Sequence, residues 1–210
     1  MSRFLEVGLI GVAGLASCIL YNSMSSTQER LDSSRNAQLD KVEEWNRVAI
    51  DHRLELDLIR DATEQQRFAK QCYKSRTCTK MAEAVYFEDR GGGVDGMKAV
   101  ANVILNRVNS NRFPNTVVGV INQRKKTKHG WVCQFSYVCQ LKDLTMYDED
   151  SKMKAGFVAW KATNGILRDS TNGADHYLNK SKVKTLPSWV FAFNKTVKIG
   201  DHTFYATKDI

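Results

Sequence analysis

The 210 residues of the chain suffice for one ordinary domain and an appendage. Apolar residues make up 42% and aromatic residues 10%, enough to bury a core, while a total of two prolines argues against a sandwich of many turns. The formal charge of +8 is uneven, because residues 76–210 hold 21 Lys and Arg against 12 Asp and Glu. Such a basic region fits a polyanionic partner (nucleic acid, anionic lipid or an acidic wall polymer) or a merely solvated surface.

The N-terminal apolar segment, residues 7–20, reads VGLIGVAGLASCIL and carries no charge. It is shorter than the ~20 residues that a bilayer-spanning helix prefers. It fits an uncleaved signal anchor, a lipoprotein signal with Cys18 as the lipidated residue, a cleaved signal peptide, or a buried helix. All but the last export the chain. We therefore expect a periplasmic or extracytoplasmic location, with attachment to the inner membrane or release from it.

A long helix is predicted after a polar connection at residues 22–34 that we expect to be flexible. Residues 35–71 lack Gly and Pro, and their apolar side chains recur at roughly helical spacing: Leu39, Val42, Trp45, Val48 or Ile50, Leu54 and Ile59. The repeat is too ragged to predict a coiled-coil dimer, so the oligomeric state stays open. These features divide the chain into an anchor or signal segment (1–25), a helical stalk (26–75) and a main domain (76–210).

Two helices are predicted around the glycine run at residues 91–93. The first helix places four residues on one face, at i, i+3, i+4 and i+7: Met81, Ala84, Val85 and Glu88. The glycines end this helix. Asp95 is expected to cap the second helix, residues 96–108.

The rest of the main domain is predicted to be irregular. A polar loop spans residues 109–115, and residues 122–140 form an excursion pinned by a disulfide. The acidic run beginning at Asp148 opens a helix that ends near residue 164, although three acidic side chains could instead bind calcium. Residues 197–206 alternate as a short strand pair does. The fold class is therefore mainly α, with a small β element.

Four cysteines form two pairs of equal spacing: Cys72 with Cys78, and Cys133 with Cys139. An even count in an exported chain predicts two disulfides, and three pairings are possible. Zinc is the alternative, but five residues between the cysteines of a pair is wider than the usual zinc spacing. No metal or other cofactor is expected.

Glu88 is the candidate for chemistry. A carboxylate on an apolar helix face loses solvation, which raises its pKa toward the range of a general acid near neutral pH. The alternative is a structural ion pair with Arg90 or Arg107. Helical spacing alone does not choose between the two roles.

Several motifs resemble, in order, the cell-wall hydrolase family typified by the spore cortex-lytic enzyme. The stretches that carry the resemblance are MAEAVYFEDRG at 81–91, GMKAVANVILNRV at 96–108, RFPNTVVGVI at 112–121, CQFS at 133–136, GADHY at 173–177 and IGDHTFY at 199–205. The resemblance runs from about residue 78 to residue 205. The short glycine-rich N-terminal segment is also similar to the signal-arrest-release segments of phage endolysins.

The resemblance implies a lysozyme-like, mostly helical catalytic domain that acts on the bond between N-acetylmuramic acid and N-acetylglucosamine in peptidoglycan. The catalytic glutamate of the family falls on Glu88. The residues that line its cleft fall on Gln134, Phe135, Ser136, His176 and Tyr177. Asn106 and Gln134 have amides suited to binding acetamido groups. Tyr137 and Trp131 fit either sugar stacking or the core.

Two departures from the family pattern stand next to Glu88. The family usually has Ala where Asp89 stands and Glu where Gly92 stands. The loss at position 92 removes a candidate second acid, while Asp89 is expected to point away from Glu88. Asp95, Asp143 and Asp175 are the remaining candidates for a second carboxylate, although none has a position that argues for it.

One well-placed carboxylate favours lytic transglycosylation, because the muramyl 6-hydroxyl can then serve as the nucleophile. Hydrolysis by a muramidase, which ordinarily needs two carboxylates, is the near alternative. A membrane-anchored, peptidoglycan-binding adaptor with a degenerate enzyme domain is a second class. A thiol protease using Cys133 is a third class, which paired cysteines disfavour. The basic stretch 124–129 would suit nucleic acid, but an exported chain seldom meets it, so peptidoglycan and the membrane are the expected partners.

Overall fold

The structure, a computed structural model, describes residues 6–128 and 130–208, and their side chains from residue 22 onward. The chain divides into two compact units that meet between Ile59 and Arg60. Helix α1 spans Glu6–Cys72, so its last turns belong to the second unit. Residue 129 of the predicted basic stretch lies outside the described residues.

The first unit is the helix α1 up to Ile59. The predicted long helix is confirmed, but it begins before residue 22, so the expected flexible connection at 22–34 is wrong. That segment contains no Gly or Pro, and the hydroxyl of Thr27 donates to the carbonyl of Ser23 at 2.6 Å within the helix. Farther along α1, the large apolar side chains between residues 39 and 59 are more than half exposed.

The predicted membrane anchor begins with residues 1–5, which lie outside the described residues. Within the described ranges, no helix is both long and apolar enough to cross a membrane.

The second unit is a helical core with two small sheets, which confirms the mainly α class. Its helices are α2 (Arg76–Asp89), α3 (Gly93–Val108), α4 (Val117–Ile121), α5 (Ser136–Gln140), α6 (Glu149–Thr163) and α7 (Trp189–Ala192). Its strands are β1 (Arg124–Thr127), β2 (Gly130–Cys133), β3 (His176–Asn179), β4 (Asn194–Ile199) and β5 (His202–Ala206). Turns of 3-10 helix span Arg90–Gly92 and Lys180–Lys182.

Strands β1 and β2 form an antiparallel hairpin, and β3, β5 and β4 form an antiparallel sheet in that order. The predicted strand pair near the C-terminus is therefore confirmed as β4 and β5. Its partner β3 pairs His176 with Tyr205 and Tyr177 with Phe204. The sheet brings the GADHY segment next to the C-terminal strand.

Local signals explain where the helices begin and end. Ser75 caps α2 by accepting from the backbone of Cys78, and Asp148 caps α6 by accepting from the backbone of Ser151 at 3.0 Å. The helix start predicted at Asp148 is thus confirmed. The cap predicted at Asp95 is wrong, because the chain passes from the 3-10 turn straight into α3 and leaves Asp95 in the first turn.

The buried core lies between α2, α3 and α6, with the end of α1 packed against α6. Ala69 and Cys72 of α1 are buried, and the rings of Phe68 and Trp160 stack with centroids 3.9 Å apart. Both predicted disulfides are present, each within its own pair: Cys72 to Cys78 and Cys133 to Cys139. The first disulfide joins the end of α1 to α2, the helix that ends next to Glu88.

Candidate active site

Glu88 lies in the last turn of α2, where the buried face of that helix meets β3. The neighbours one and two turns back, Ala84 and Met81, are fully buried, whereas Glu88 is half-buried. The Tyr177 hydroxyl donates a hydrogen bond to Oε2 of Glu88 at 2.9 Å. The structure therefore brings together two residues that are 89 positions apart in sequence.

The pKa of the Glu88 carboxyl lies above its ordinary value, and burial is the main cause. The hydrogen bond from Tyr177 opposes this rise in pKa, as do the nearby His202 and Arg107. The negative charge of Asp89 adds to it. Glu88 therefore keeps its proton to higher pH than an exposed glutamate, which a proton donor requires.

Arg107 of α3 places a buried cation on this side of the core. Its Nε donates to the carbonyl of Asp175 at 2.7 Å. With the Gln134 amide oriented so that its oxygen faces Arg107, that oxygen accepts from both terminal nitrogens, at 3.1 and 3.2 Å. The guanidinium also lies over the rings of Phe113 and Phe135, 5.3 and 5.5 Å from their centroids.

Neither arginine named as an ion-pair partner of Glu88 donates to it. Arg107 donates to Asp175 and Gln134, and Arg90 donates to the Tyr86 hydroxyl at 3.3 Å. Arg107 acts on the Glu88 carboxyl through its charge. Sequence reasoning had considered Arg107 only as a salt-bridge partner, although it lies within the motif at residues 96–108.

His176 lies on the other face of β3 from Tyr177, because neighbouring residues of a strand point to opposite faces. Its Nδ1 is 2.9 Å from Oδ1 of Asp175. Its ring packs among aromatic side chains, with centroids 5.2 Å from Trp189 and 4.8 Å from Phe193. The structure therefore does not bring His176 to the Tyr177 side of the sheet.

The other predicted cleft residues divide between the surface and the interior. Gln134 and Ser136 are exposed. Phe135 is 1% exposed and offers no ring face to a sugar. The side-chain nitrogen of Asn106 lies 2.9 Å from the carbonyl of Ala174 and 3.2 Å from Asp169, so this amide holds the loop before β3.

The two aromatic residues that could have served as a sugar platform or as part of the core differ in burial. Tyr137 is buried and its ring stacks on Phe87 at 5.1 Å. Trp131 on β2 is exposed, and Arg124 lies over its ring at 4.8 Å.

The candidate second carboxylates are engaged elsewhere. Asp95 is exposed and pairs with Lys98 at 2.8 Å. Asp143 accepts from the backbone of Thr145 at 2.9 Å, and Asp175 accepts from Arg112 at 2.9 Å. Asp89 is different: its carboxylate lies over Gly92 and Gly96. It is the carboxylate that sequence reasoning set aside.

A metal centre has no support in the part of the chain that the structure describes. No group of three or more His, Cys, Asp or Glu side chains there is arranged to hold an ion. Cys72, Cys78, Cys133 and Cys139 are held in disulfides, so they are not available as thiolate ligands.

Curated relatives carry the name spore cortex-lytic enzyme. The Bacillus cereus protein is 35% identical over 132 residues, which are 63% of this chain and 45% of the relative. The Halalkalibacterium halodurans protein is 33% identical over 63% of this chain and 35% of its own length. The chain thus spans less than half of the length of these relatives.

Two solved structures are similar to part of the chain. One is the catalytic domain of the germination-specific lytic transglycosylase SleB from Bacillus anthracis, at 33% identity and a TM-score of 0.46, with 62% of this chain and 95% of that chain covered. The other is the catalytic domain of the Bacillus cereus SleB protein, with the same identity and TM-score, over 62% of this chain and 91% of that chain.

A family model described as Cell Wall Hydrolase matches residues 91–205. The match begins three residues after Glu88 and contains the segments that supply Arg107, Gln134 and Tyr177. It covers more than half of the 210 residues, and the resemblance found in the sequence motifs is confirmed. The chain belongs to the cell wall hydrolase family.

Proposed function

We propose that this chain cuts the glycan strands of peptidoglycan by lytic transglycosylation, between N-acetylmuramic acid and N-acetylglucosamine, with Glu88 as the acid. The observation that carries the proposal is the half-buried Glu88 carboxyl, bonded by the Tyr177 hydroxyl at 2.9 Å, in a member of the cell wall hydrolase family. The name of its curated relatives, spore cortex-lytic enzyme, supports the same substrate.

The chemistry needs one carboxyl group that works twice. Glu88 donates its proton to the glycosidic oxygen as the bond to the muramyl C1 breaks. The muramyl 6-hydroxyl then bonds to C1, and its proton passes to the Glu88 carboxylate, which leaves a 1,6-anhydro end and restores the acid. Arg107 stabilises the carboxylate during the interval in which Glu88 is ionised.

Transglycosylation is preferred to hydrolysis because of what the other carboxylates do. A hydrolase needs a second carboxylate to activate water or to attack the sugar. Asp95, Asp143 and Asp175 are bound to other groups. The substrate's own hydroxyl removes that requirement.

We further propose that the reaction takes place outside the cytoplasm. Two disulfides within the second unit suit an oxidising compartment, and peptidoglycan lies there. On the strength of the sequence, this proposal includes attachment to the inner membrane through residues 1–25, a stalk over 26–75 and a catalytic domain over 76–210. It also includes a role as an endolysin whose anchor can be released.

The test compares the full oxidised chain with its E88Q and E83Q variants on isolated peptidoglycan, with fragments read by mass spectrometry. Glu83 is the matched control, since it lies on the same helix and pairs with Lys80 at 2.5 Å. The native chain and E83Q should release fragments with anhydro-muramyl ends, and E88Q should be at least about 100-fold slower. Reducing muramyl ends would refute transglycosylation, and a folded native chain that releases nothing would refute the function.

A further inference from the structure

Asp89 is the last residue of α2, yet its side chain does not cap the turn that follows. Its backbone leaves helical geometry, with φ −149° and ψ 35°, and it makes no side-chain capping hydrogen bond to the turn Arg90–Gly92. The Asp89 side chain is 10% exposed. A carboxylate this buried needs a partner other than its own helix end.

The Asp89 carboxylate fills the space next to two glycines. A Cβ atom on Gly92 or on Gly96 would collide with it. The backbone does not require glycine at either place, since Gly92 has a φ of −85° and Gly96 has no positive φ. A side chain at either position would therefore have to displace the Asp89 carboxylate.

The partner of Asp89 is His202 on β5. Its Nδ1 is 3.6 Å from Oδ1 of Asp89, and this buried nitrogen has no hydrogen-bond partner. A shift of about 0.7 Å would make the hydrogen bond. The ring of His202 meets the ring of Tyr177 edge-on, with centroids 5.3 Å apart and planes at 90°, and Tyr177 holds Glu88.

We propose that Asp89 and His202 are positioning residues for Glu88. A Cβ atom on residue 92 would lie within 2.6 Å of the Asp89 carboxylate, so a carboxylate could enter the same space from either position. Asp89 orients His202 against Tyr177, and this contact fixes the Tyr177 hydroxyl on Glu88. The inference rests on the proposed function, because it assigns a role within the same site.

Five elements present charged or titratable groups to Glu88. They are Asp89 of α2, Arg107 of α3, Tyr137 of α5, Tyr177 of β3 and His202 of β5. Loss of a charged group among them alters the field at Glu88 directly, so activity at one pH does not identify a positioning role. The test therefore uses a reciprocal exchange of carboxylates and a pH profile.

The exchange compares D89N, D89A, G92E and the double variant D89A/G92E in the full oxidised chain. D89N keeps the shape but loses the charge that orients His202, and D89A loses both, so each should cut peptidoglycan about tenfold more slowly or worse. G92E alone should also be slow, because its Cβ displaces the Asp89 carboxylate from His202. The double variant removes the collision and restores a carboxylate, so it should recover most of the rate. D95N, at an exposed carboxylate of α3, is the matched control and should keep the native rate.

The pH profile separates an effect on the Glu88 carboxyl from a loss of packing. Glu88 acts in its protonated form, so activity falls as the pH rises through its pKa. His202 lowers the pKa of Glu88, so H202Q should move this alkaline limb to higher pH. A loss of packing would lower the rate at every pH and leave the limb where it was.

Circular dichroism and non-reducing electrophoresis first establish that each variant is folded and oxidised. The inference is overturned if D89N cuts at the native rate, if folded D89A/G92E is as slow as D89A, or if the alkaline limb of H202Q does not move. Each of these results requires an active native chain. A folded native chain that releases no fragments overturns the proposed function instead, and the inference with it.

Discussion

Glu88 must be protonated when it meets the glycosidic oxygen and ionised afterwards. Its immediate surroundings determine how stable each of the two protonation states is. Burial stabilises the protonated form, while the Tyr177 hydroxyl and the guanidinium of Arg107 stabilise the ionised form. An acid balanced in this way can give up a proton and recover it within one reaction. Each neighbour therefore has a separate and measurable effect on the pH dependence.

Removal of the Tyr177 hydroxyl should shift the pH profile in a direction that the structure dictates. The hydroxyl lowers the pKa of Glu88 by bonding its Oε2, so in Y177F that pKa rises and the alkaline limb of activity moves to higher pH. The rate at the optimum should fall about tenfold, since the carboxyl is no longer held in place. Initial cleavage rates from pH 4 to pH 9 measure both effects.

Y147F is the control for this substitution. Tyr147 also donates its hydroxyl to a carboxylate, that of Asp143, but it is 76% exposed and does not contact Glu88. Its pH profile should match the native one. An unmoved limb in Y177F would show that the hydroxyl does not bond the working carboxyl.

The part of the site that lies in recognisable sequence motifs was predictable. Glu88 and Tyr177 were singled out from the sequence, and the structure joins them. His176 was expected beside Tyr177, but the identification of β3 is needed to see that the two residues face opposite ways. The role of Asp89 could not be predicted, because it depends on the volume left by two glycines and on a histidine 113 positions away in the chain.

At the scale of elements, the two disulfides differ in burial although their cysteines are equally spaced in sequence. Each closes a loop of sequence separation 6, and each joins the end of one element to the next. Cys72 and Cys78 are 1% and 3% exposed and belong to the core between α1 and α2. Cys139 is exposed, at the edge of the hairpin and α5.

Replacement of each pair by alanine should therefore cost unequal stability. Loop closure contributes about 2 kcal/mol to either disulfide, but the C72A/C78A variant also loses packed sulfur atoms in the core, for a total loss of about 3–4 kcal/mol in the free energy of unfolding. The C133A/C139A variant should lose about 2 kcal/mol. Urea unfolding without reductant measures both, and equal losses would contradict the difference in packing.

Secondary structure was predictable where one element has its own pattern, and less so where partners decide. The start of α6 at Asp148 and the pairing of β4 with β5 followed from local residues. The helix over residues 22–34 did not, because polar composition was taken as a sign of flexibility where the absence of Gly and Pro permits a helix. Strand β3 is four residues long and forms because β5 pairs with it.

At the scale of the whole molecule, Asp175 ties together segments that are far apart in sequence. It accepts from Arg112 at 2.9 Å, from the backbone of Thr207 at 3.0 Å, and lies 2.9 Å from Nδ1 of His176. The side chain is 5% exposed. It therefore joins the loop after α3, the start of strand β3 and the chain after β5.

The acid stability of the second unit should depend on this carboxylate. Burial acts to raise the pKa of Asp175, but the hydrogen bonds from His176 and Thr207 outweigh it and hold the pKa well below the usual range. Because the folded pKa is depressed, the stabilisation is fully present above the unfolded value of about 4. It is lost progressively as the pH falls from there through the folded value.

D175N should accordingly lower the free energy of unfolding by about 3 kcal/mol at pH 7, and the difference from the native chain should shrink as the pH falls below about 4. D201N is the control, since Asp201 is exposed in the turn between β4 and β5 and should change stability by no more than about 0.5 kcal/mol. Urea unfolding at a series of pH values gives both differences. A D175N deficit that stays constant from pH 7 to below pH 4 would mean that Asp175 stabilises the fold by its shape, not by the charge that holds the three segments together.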